Sequence, residues 1–280
     1  MPIVKKQSAK VQRRKTGSVL DRIAPVALPA SGMKMNVYGR SGTGKTTFAC
    51  TFPKPLLLVG TEDGTRSVYT VKGVDYVRLE NSGELVEITE MATGGKYNTV
   101  VLDTASGLQD MILKEVLGLS ELPAQGSWGM ASRSDWGQCT LQTRERLRTL
   151  LDLTCNIVII AQERAFNTSD DESSSSEQLM PNVASALSPS VTGWLNPACD
   201  YIGQMLLRQK TKEHKVTVGV GKQKKTVTKF LPVKGAEYCL RVGPSPVFTT
   251  KFRMPRGAEL PEMLIDPTYA AVDTLVRQGG

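Results

Sequence analysis

Apolar residues in this chain gather into short unbroken runs. Residues 33–38, 55–60, 98–103 and 156–162 are four of them, and runs of that length bounded by turn residues read as strands buried on both faces of a parallel sheet. Strand-like segments also fall at 74–79 and 201–207. Helix-like stretches separate them at 46–51, 82–91, 106–117, 135–153 and 184–195; the second opens on Ser82 with glutamates in its early turns, the pattern of a capped helix. This alternation predicts an α/β fold, a mainly parallel sheet with helices on both faces. After residue 207 the pattern changes to β-like segments at 215–220, 226–231, 237–242 and 247–253, a predicted antiparallel extension over about 208–256, and a short helix is expected from Pro267. Residues 118–134 read as a loop, and the polar stretch 167–178 (NTSDDESSSSEQ) as a mobile one.

Composition narrows the class. With 280 residues, 40% of them hydrophobic, the chain can bury one full α/β core with appendages. No apolar stretch approaches the ~18 residues of a membrane span, and the basic N-terminus lacks the apolar core of a secretory signal. A soluble, intracellular protein is expected. Cys50, Cys139, Cys155, Cys199 and Cys239 form no C-x-x-C pair and read as reduced core residues. The single histidine, His214, lies in a lysine-rich stretch, which excludes a multi-histidine metal centre and disfavours a histidine-dependent triad. Net charge is +8, and residues 1–15 carry six lysines and arginines and no acid. Residues 1–17 therefore read as a disordered basic arm, for which polyanion contact and plain solubilisation are both open roles.

The chemistry begins where the first strand ends. Gly39-Arg40-Ser41-Gly42-Thr43-Gly44-Lys45-Thr46 is a complete G-x-x-x-x-G-K-[ST] loop between a strand and a helix. Its glycines let backbone N–H groups turn onto phosphate oxygens, Lys45 brings a compact positive charge to the β- and γ-phosphates, and Thr46 supplies a hydroxyl for Mg²⁺. With Thr47 these residues make the predicted nucleotide-binding stretch. Asp103 ends a neighbouring strand and is the expected carboxylate for the same Mg²⁺. Position 104, where many hydrolytic P-loop proteins place a glutamate, is Thr104, so the base must come from elsewhere. Glu62, at the carboxyl end of the strand after the P-loop helix, either orients the attacking water or is an exposed turn acid, with Asp63 as a weaker competitor. Gln162, ending the strand 156–162, is placed to sense the γ-phosphate and pass its state to the loop that follows.

That order of P-loop, strand with Glu62, strand with Asp103, and strand with Gln162 before a polar loop resembles the RecA-like ATPase core over roughly residues 30–260. Within that group it most resembles phage-encoded RecA-like ATP-binding proteins of the single-strand-annealing recombinase type. The resemblance implies that ATP and Mg²⁺ are the cofactors, that Glu62 polarises the hydrolytic water, and that Gln162 reports the γ-phosphate. It also implies that 118–134 and 163–183 are two DNA-facing loops. Lys251-Phe252-Arg253 resembles the Lys-x-Arg finger by which some members complete a neighbour's ATP site, in which role Lys251 and Arg253 would act in trans; two basic residues alternating on a solvent-facing strand are the plainer account. A homo-oligomeric ring or filament, a single-strand-binding protein as a further partner, and the cytoplasm of an infected bacterial host follow from the resemblance alone. The domain division it supports is the arm 1–17, an ATPase domain 18–260, and a tail 261–280.

Features for nucleic acid accompany this core. Trp128 lies between Ser127 and Gly129 near Arg133 and Trp136; Trp128 is the candidate for stacking on unpaired bases, Trp136 for core anchoring. A second cluster from Arg208 to Lys229 sets eight positive charges, among them Lys222, Lys224 and Lys225 at an expected hairpin tip, against the single acid Glu213. Such a stripe attracts phosphate backbone without sequence preference. Asp170, Asp171, Glu172 and Glu177 in the second loop would repel DNA, leaving that loop to a protein partner or the DNA to the first loop and the hairpin. The reading is an ATP-dependent, single-stranded-DNA-binding recombination or annealing protein. A helicase- or packaging-like motor, a small-molecule kinase and a nucleotide-gated adaptor are its competitors.

Overall fold

An unbroken apolar run buries alternate side chains on opposite faces of a sheet, and both faces must then be covered. The computed structural model describes residues 32–119, 131–166, 182–218, 225–255 and 257–277, and in it the runs do this. The parallel strands are β1 (Lys34–Gly39), β2 (Leu56–Gly60), β3 (Val74–Arg78), β4 (Thr99–Asp103), β5 (Asn156–Phe166) and β7 (Tyr201–Val218). They lie side by side in the order β3-β2-β4-β5-β1-β7. Leu57, Val59, Val100, Leu102, Ile157 and Ile159 point to one face. There they meet α2 (Glu84–Ala92), α3 (Ala105–Leu117), α4 (Arg133–Leu151) and α5 (Pro189–Ala198). Leu56, Leu58, Val101, Val158 and Ile160 point to the other, against α1 (Lys45–Ala49) and α6 (Tyr269–Arg277). Phe52 just beyond α1 packs on Tyr269, their ring centroids 4.9 Å apart.

Antiparallel strands extend this sheet. β8 (Lys225–Arg241) pairs along β7, β10 (Met263–Ile265) along β8, and β9 (Lys251–Phe252) with the start of β7; β6 (Asn182–Ser185) pairs with the far end of β5. The expected α/β class, mainly parallel with a C-terminal antiparallel extension, is the observed one. Among the described residues no helix is long and apolar enough to cross a membrane, and the cysteines are free.

Several local expectations are corrected. The helix expected at 184–195 is a strand followed by a helix: Ala184 pairs with Arg164 and Ser185 with Glu163, and α5 starts at Pro189. Pro189 fits the first helical position, where its missing N–H costs nothing, and a second proline, Pro197, falls in the last turn of α5. The separate segments at 201–207, 215–220, 226–231 and 237–242 join into β7 and β8, because a partner strand satisfies the backbone of the polar residues between them. Ser82 does not cap α2; its backbone N–H and hydroxyl both donate to the Glu115 carboxylate of α3, at 2.7 and 2.5 Å. His214 is exposed. The stretch 167–178 lies outside the described residues, as does the arm 1–17.

One glycine sets how closely α3 approaches the end of β2. A Cβ at Gly107 would stand 2.2 Å from Thr61 Oγ1, and that hydroxyl accepts the Thr104 N–H at 3.1 Å beside Asp103. Gly107→Ala is expected to cost about 1–3 kcal/mol by overpacking, measured as a lower urea midpoint with an unchanged denaturant slope.

Candidate functional site

β1 is buried along its whole length, and its last residue, Gly39, is level with Gln162 of β5 on one side and Met205 of β7 on the other. The chain then turns through Gly42 and Gly44, at φ of 79° and 83°, left-handed conformations that carry no penalty only for glycine. Gly44 is the N-cap of α1 and offers no side-chain cap. The first N–H groups of α1 thus need outside acceptors.

Lys45 is buried. Its Nζ donates to the carbonyls of Gly39 at 2.8 Å and Arg40 at 2.7 Å, and more weakly to Gln162 Oε1 at 3.4 Å. Burial pulls its pKa below the usual lysine value, against the opposing attraction of Asp103 and Glu163. Thr46 Oγ1 donates to Asp103 Oδ2 at 2.6 Å. Burial pushes the Asp103 carboxyl above the usual range; the Thr46 hydrogen bond and Lys45 pull it down, and Glu62 pushes it up. Thr104, where a base was absent, caps α3 by accepting the Gly107 N–H at 2.9 Å.

These groups line one cleft of about 400 Å³, together with Ser41, Gly42, Thr47, Glu62, Asp63 and Tyr238. Glu62 is exposed at its mouth, and Asp63 accepts a hydrogen bond from Arg78 at 3.3 Å. Gln162 is held by its backbone: its N–H donates to Ser106 Oγ at 3.1 Å and its carbonyl accepts the Ala186 N–H at 2.7 Å. Arg40 is exposed and pairs with Glu163 at 3.4 Å, and Thr43 folds back on the Arg40 carbonyl at 2.9 Å.

Thr46 and Asp103 offer two hard oxygens at the cleft floor, the donor type that Mg²⁺ takes when phosphates and waters complete its shell. No group of three or more His, Cys, Asp or Glu that would hold a metal occurs among the described residues. A cation here would therefore draw its other ligands from a nucleotide and water.

The residues expected to act outside the chain's own cleft lie apart from it. Lys251 Nζ donates to the carbonyls of Asn196, Pro197 and Cys199 at 2.9, 3.1 and 2.6 Å, and Arg253 binds Asp200 Oδ1 at 2.7 Å and the Pro197 carbonyl at 3.1 Å. Both close the C-terminus of α5, a position that favours cations. Arg133 is the exposed first residue of α4. Trp128, Lys222 and Lys224 lie outside the described residues, and Lys225 begins β8. Tyr238 and Glu163 were not anticipated. No local motif marks them; the pairing of β7 with β8 carries Tyr238 to the cleft, and β5 running past Gln162 sets Glu163 against Arg40 and Gln204.

The raised Asp103 pKa has a consequence for stability. A carboxyl whose folded-state pKa lies above its unfolded value favours the fold when protonated, and that contribution is lost as pH rises through the folded pKa. Asp103→Asn is therefore expected to melt higher than the wild type at pH 7 without nucleotide, with the gap shrinking as pH falls through the carboxylate range. Thermal unfolding across pH checks this.

No curated protein matches this chain. Among solved structures, the flagellar accessory protein FlaH from Methanocaldococcus jannaschii is 10% identical, with 89% of this chain and 95% of that one covered, at a TM-score of 0.35. A KaiC-like protein from Pyrococcus horikoshii OT3 is 13% identical, with 85% and 90% covered, at 0.38. The RadB recombinase is 14% identical, with 74% and 88% covered, also at 0.38. Likeness this loose carries no conclusion about activity. A model of the family AAA_24, described as an AAA domain, matches residues 31–254, from the lead into β1 to just past β9, and the chain, with its P-loop cleft, belongs to that AAA domain family.

Proposed function

We propose that this protein is a Mg²⁺-dependent ATPase that uses nucleotide binding to control its hold on single-stranded DNA, in recombination or annealing. The observation that carries the nucleotide reading is the convergence of Lys45, Thr46, Asp103 and Gln162 on one cleft. Lys45 is held by the Gly39 and Arg40 carbonyls; exchanging these for phosphate oxygens would place its charge against the triphosphate without bringing a new cation into the site. When bound, Mg²⁺ would be held by Thr46 and Asp103 and would supply positive charge to the phosphoryl oxygens. Glu62, at the cleft mouth, orients the attacking water. Gln162 senses the γ-phosphate, and its backbone ties to Ser106 and Ala186 connect that contact to α3 and to the turn before α5.

The DNA reading draws on the β7–β8 arm. β1 stops at Gly39, opposite Met205, whereas β7 runs on to Val218 and β8 returns from Lys225. Lys210, Lys212 and Lys234 are exposed on this arm, while Arg208 is engaged by Glu237 at 2.7 Å. Exposed lysines on a ribbon beyond the nucleotide edge suit phosphate backbone. Assembly into a ring or filament remains part of the proposal. It does not rest on Lys251 and Arg253, which would have to abandon the α5 carbonyls and Asp200 to reach a neighbour.

Steady-state ATP hydrolysis with and without single-stranded DNA tests the proposal. The expected result is stimulation by DNA, loss of that activity by a factor on the order of 10²–10³ in Lys45→Ala, and DNA affinity that falls steeply with salt. DNA-independent hydrolysis with no strand affinity at low salt would remove the DNA half, and processive unwinding would favour a motor over an annealing protein. Glu62→Gln is expected to lower kcat by roughly 10²-fold or more with KM for ATP nearly unchanged; an equal loss in Glu62→Gln and Asp63→Asn would leave Glu62 no special role.

A further inference from the structure

Tyr238 stands out among the residues of the cleft because the proposed phosphate chemistry does not use it. It lies on β8, its cross-strand partner on β7 is Leu207, and both side chains are 46% exposed although Cys239 beside it is buried. What sets Tyr238 apart is its place, since among the described residues it is the one aromatic side chain that lines the cleft. The tyrosine ring reaches the P-loop itself: a Cβ at Gly44 would come within 3.0 Å of Tyr238 Cδ1. A glycine is what lets the ring approach so closely.

Sheet order gives this position a direction. β5 and β4, with Gln162 and Asp103, lie on one side of β1; β7 and β8 lie on the other. The cleft that holds Gln162 and Asp103 also reaches Tyr238 of β8, across β1 from both, which leaves room there for the sugar and base of a triphosphate whose γ end lies at Gln162 and Asp103. We propose that Tyr238 is the stacking platform for the nucleotide base, the ring face beyond Gly44 receiving a purine. This rests on the nucleotide reading of the same cleft. Stacking without a set of base-edge hydrogen bonds discriminates by ring area, so purine triphosphates should be favoured over pyrimidine ones, with little choice between purines.

Binding of ATP, CTP and inorganic tripolyphosphate, measured by calorimetry on the full chain, tests this. Tyr238→Ala is expected to weaken ATP about tenfold, ~1.4 kcal/mol, to weaken CTP less, and to leave tripolyphosphate unchanged. Tyr238→Phe should bind ATP as the wild type does, and Leu141→Ala, at a 67% exposed position on α4, serves as the neutral surface control. ATP affinity unchanged in a folded Tyr238→Ala would overturn the proposal. So would an equal loss for ATP and tripolyphosphate, which would mean that the ring only shapes the loop. If the folded wild type binds neither ATP nor tripolyphosphate, the nucleotide reading itself falls, an outcome distinct from a wild type that binds ATP indifferently to residue 238.

Discussion

The parallel pairing of β1 with β5 on one side and β7 on the other is the constraint on which the rest depends. A strand hydrogen-bonded along both edges and covered on both faces cannot shift, since a one-residue slip would turn its buried set toward the wrong layer. The residue at its end is fixed with it. Gly39 is level with Gln162, and Gly60 of β2 is level with Asp103 of β4, so the groups that matter emerge along one carboxyl edge, where ligands bind in open α/β sheets. The P-loop hangs from a buried strand paired along both edges, and its partners come from strands locked to it by register.

That edge holds opposite charges in a poorly solvated place. Burial disfavours the charged forms of both Lys45 and Asp103, and each partly restores the other. The lysine is further held by two loop carbonyls and the aspartate by one hydroxyl, bonds that polar ligands can replace. Such an arrangement costs stability, as functional sites commonly do. It also means that the cleft needs little rearrangement to accept an anion and a cation together.

The antiparallel extension gives the sheet a second role. β8 and β10 continue it beyond β7, β9 ties the chain back to the start of β7, and α6 covers the second face with Val272 and Leu275. Past Gly39 the paired β7 and β8 no longer have β1 beside them. The same two strands thus bring an aromatic ring to the P-loop and carry lysines beyond it, joining the nucleotide edge to the surface proposed to meet nucleic acid. Lys251 and Arg253 bind the carbonyls at the end of α5 and Asp200.

Local pattern was enough for the P-loop, the parallel strands and the order of Glu62, Asp103 and Gln162, because glycine spacing and unbroken apolar runs are statements about backbone conformation and burial that neighbours in sequence settle. It also gave five of the six helices among the described residues to within a few residues. It was not enough where long-range pairing decides: residues 184 and 185 became a strand because β5 extends to meet them, and the polar stretch after Leu207 became one continuous strand because β8 lies against it. Tyr238 reached the cleft, Glu163 met Arg40, and Lys251 and Arg253 reached the end of α5, by contacts between residues distant in the chain. The sequence by itself determined which residue types could bind phosphate; the tertiary structure decided which of them share a site, since only strand order and register convert distance along the chain into distance in space.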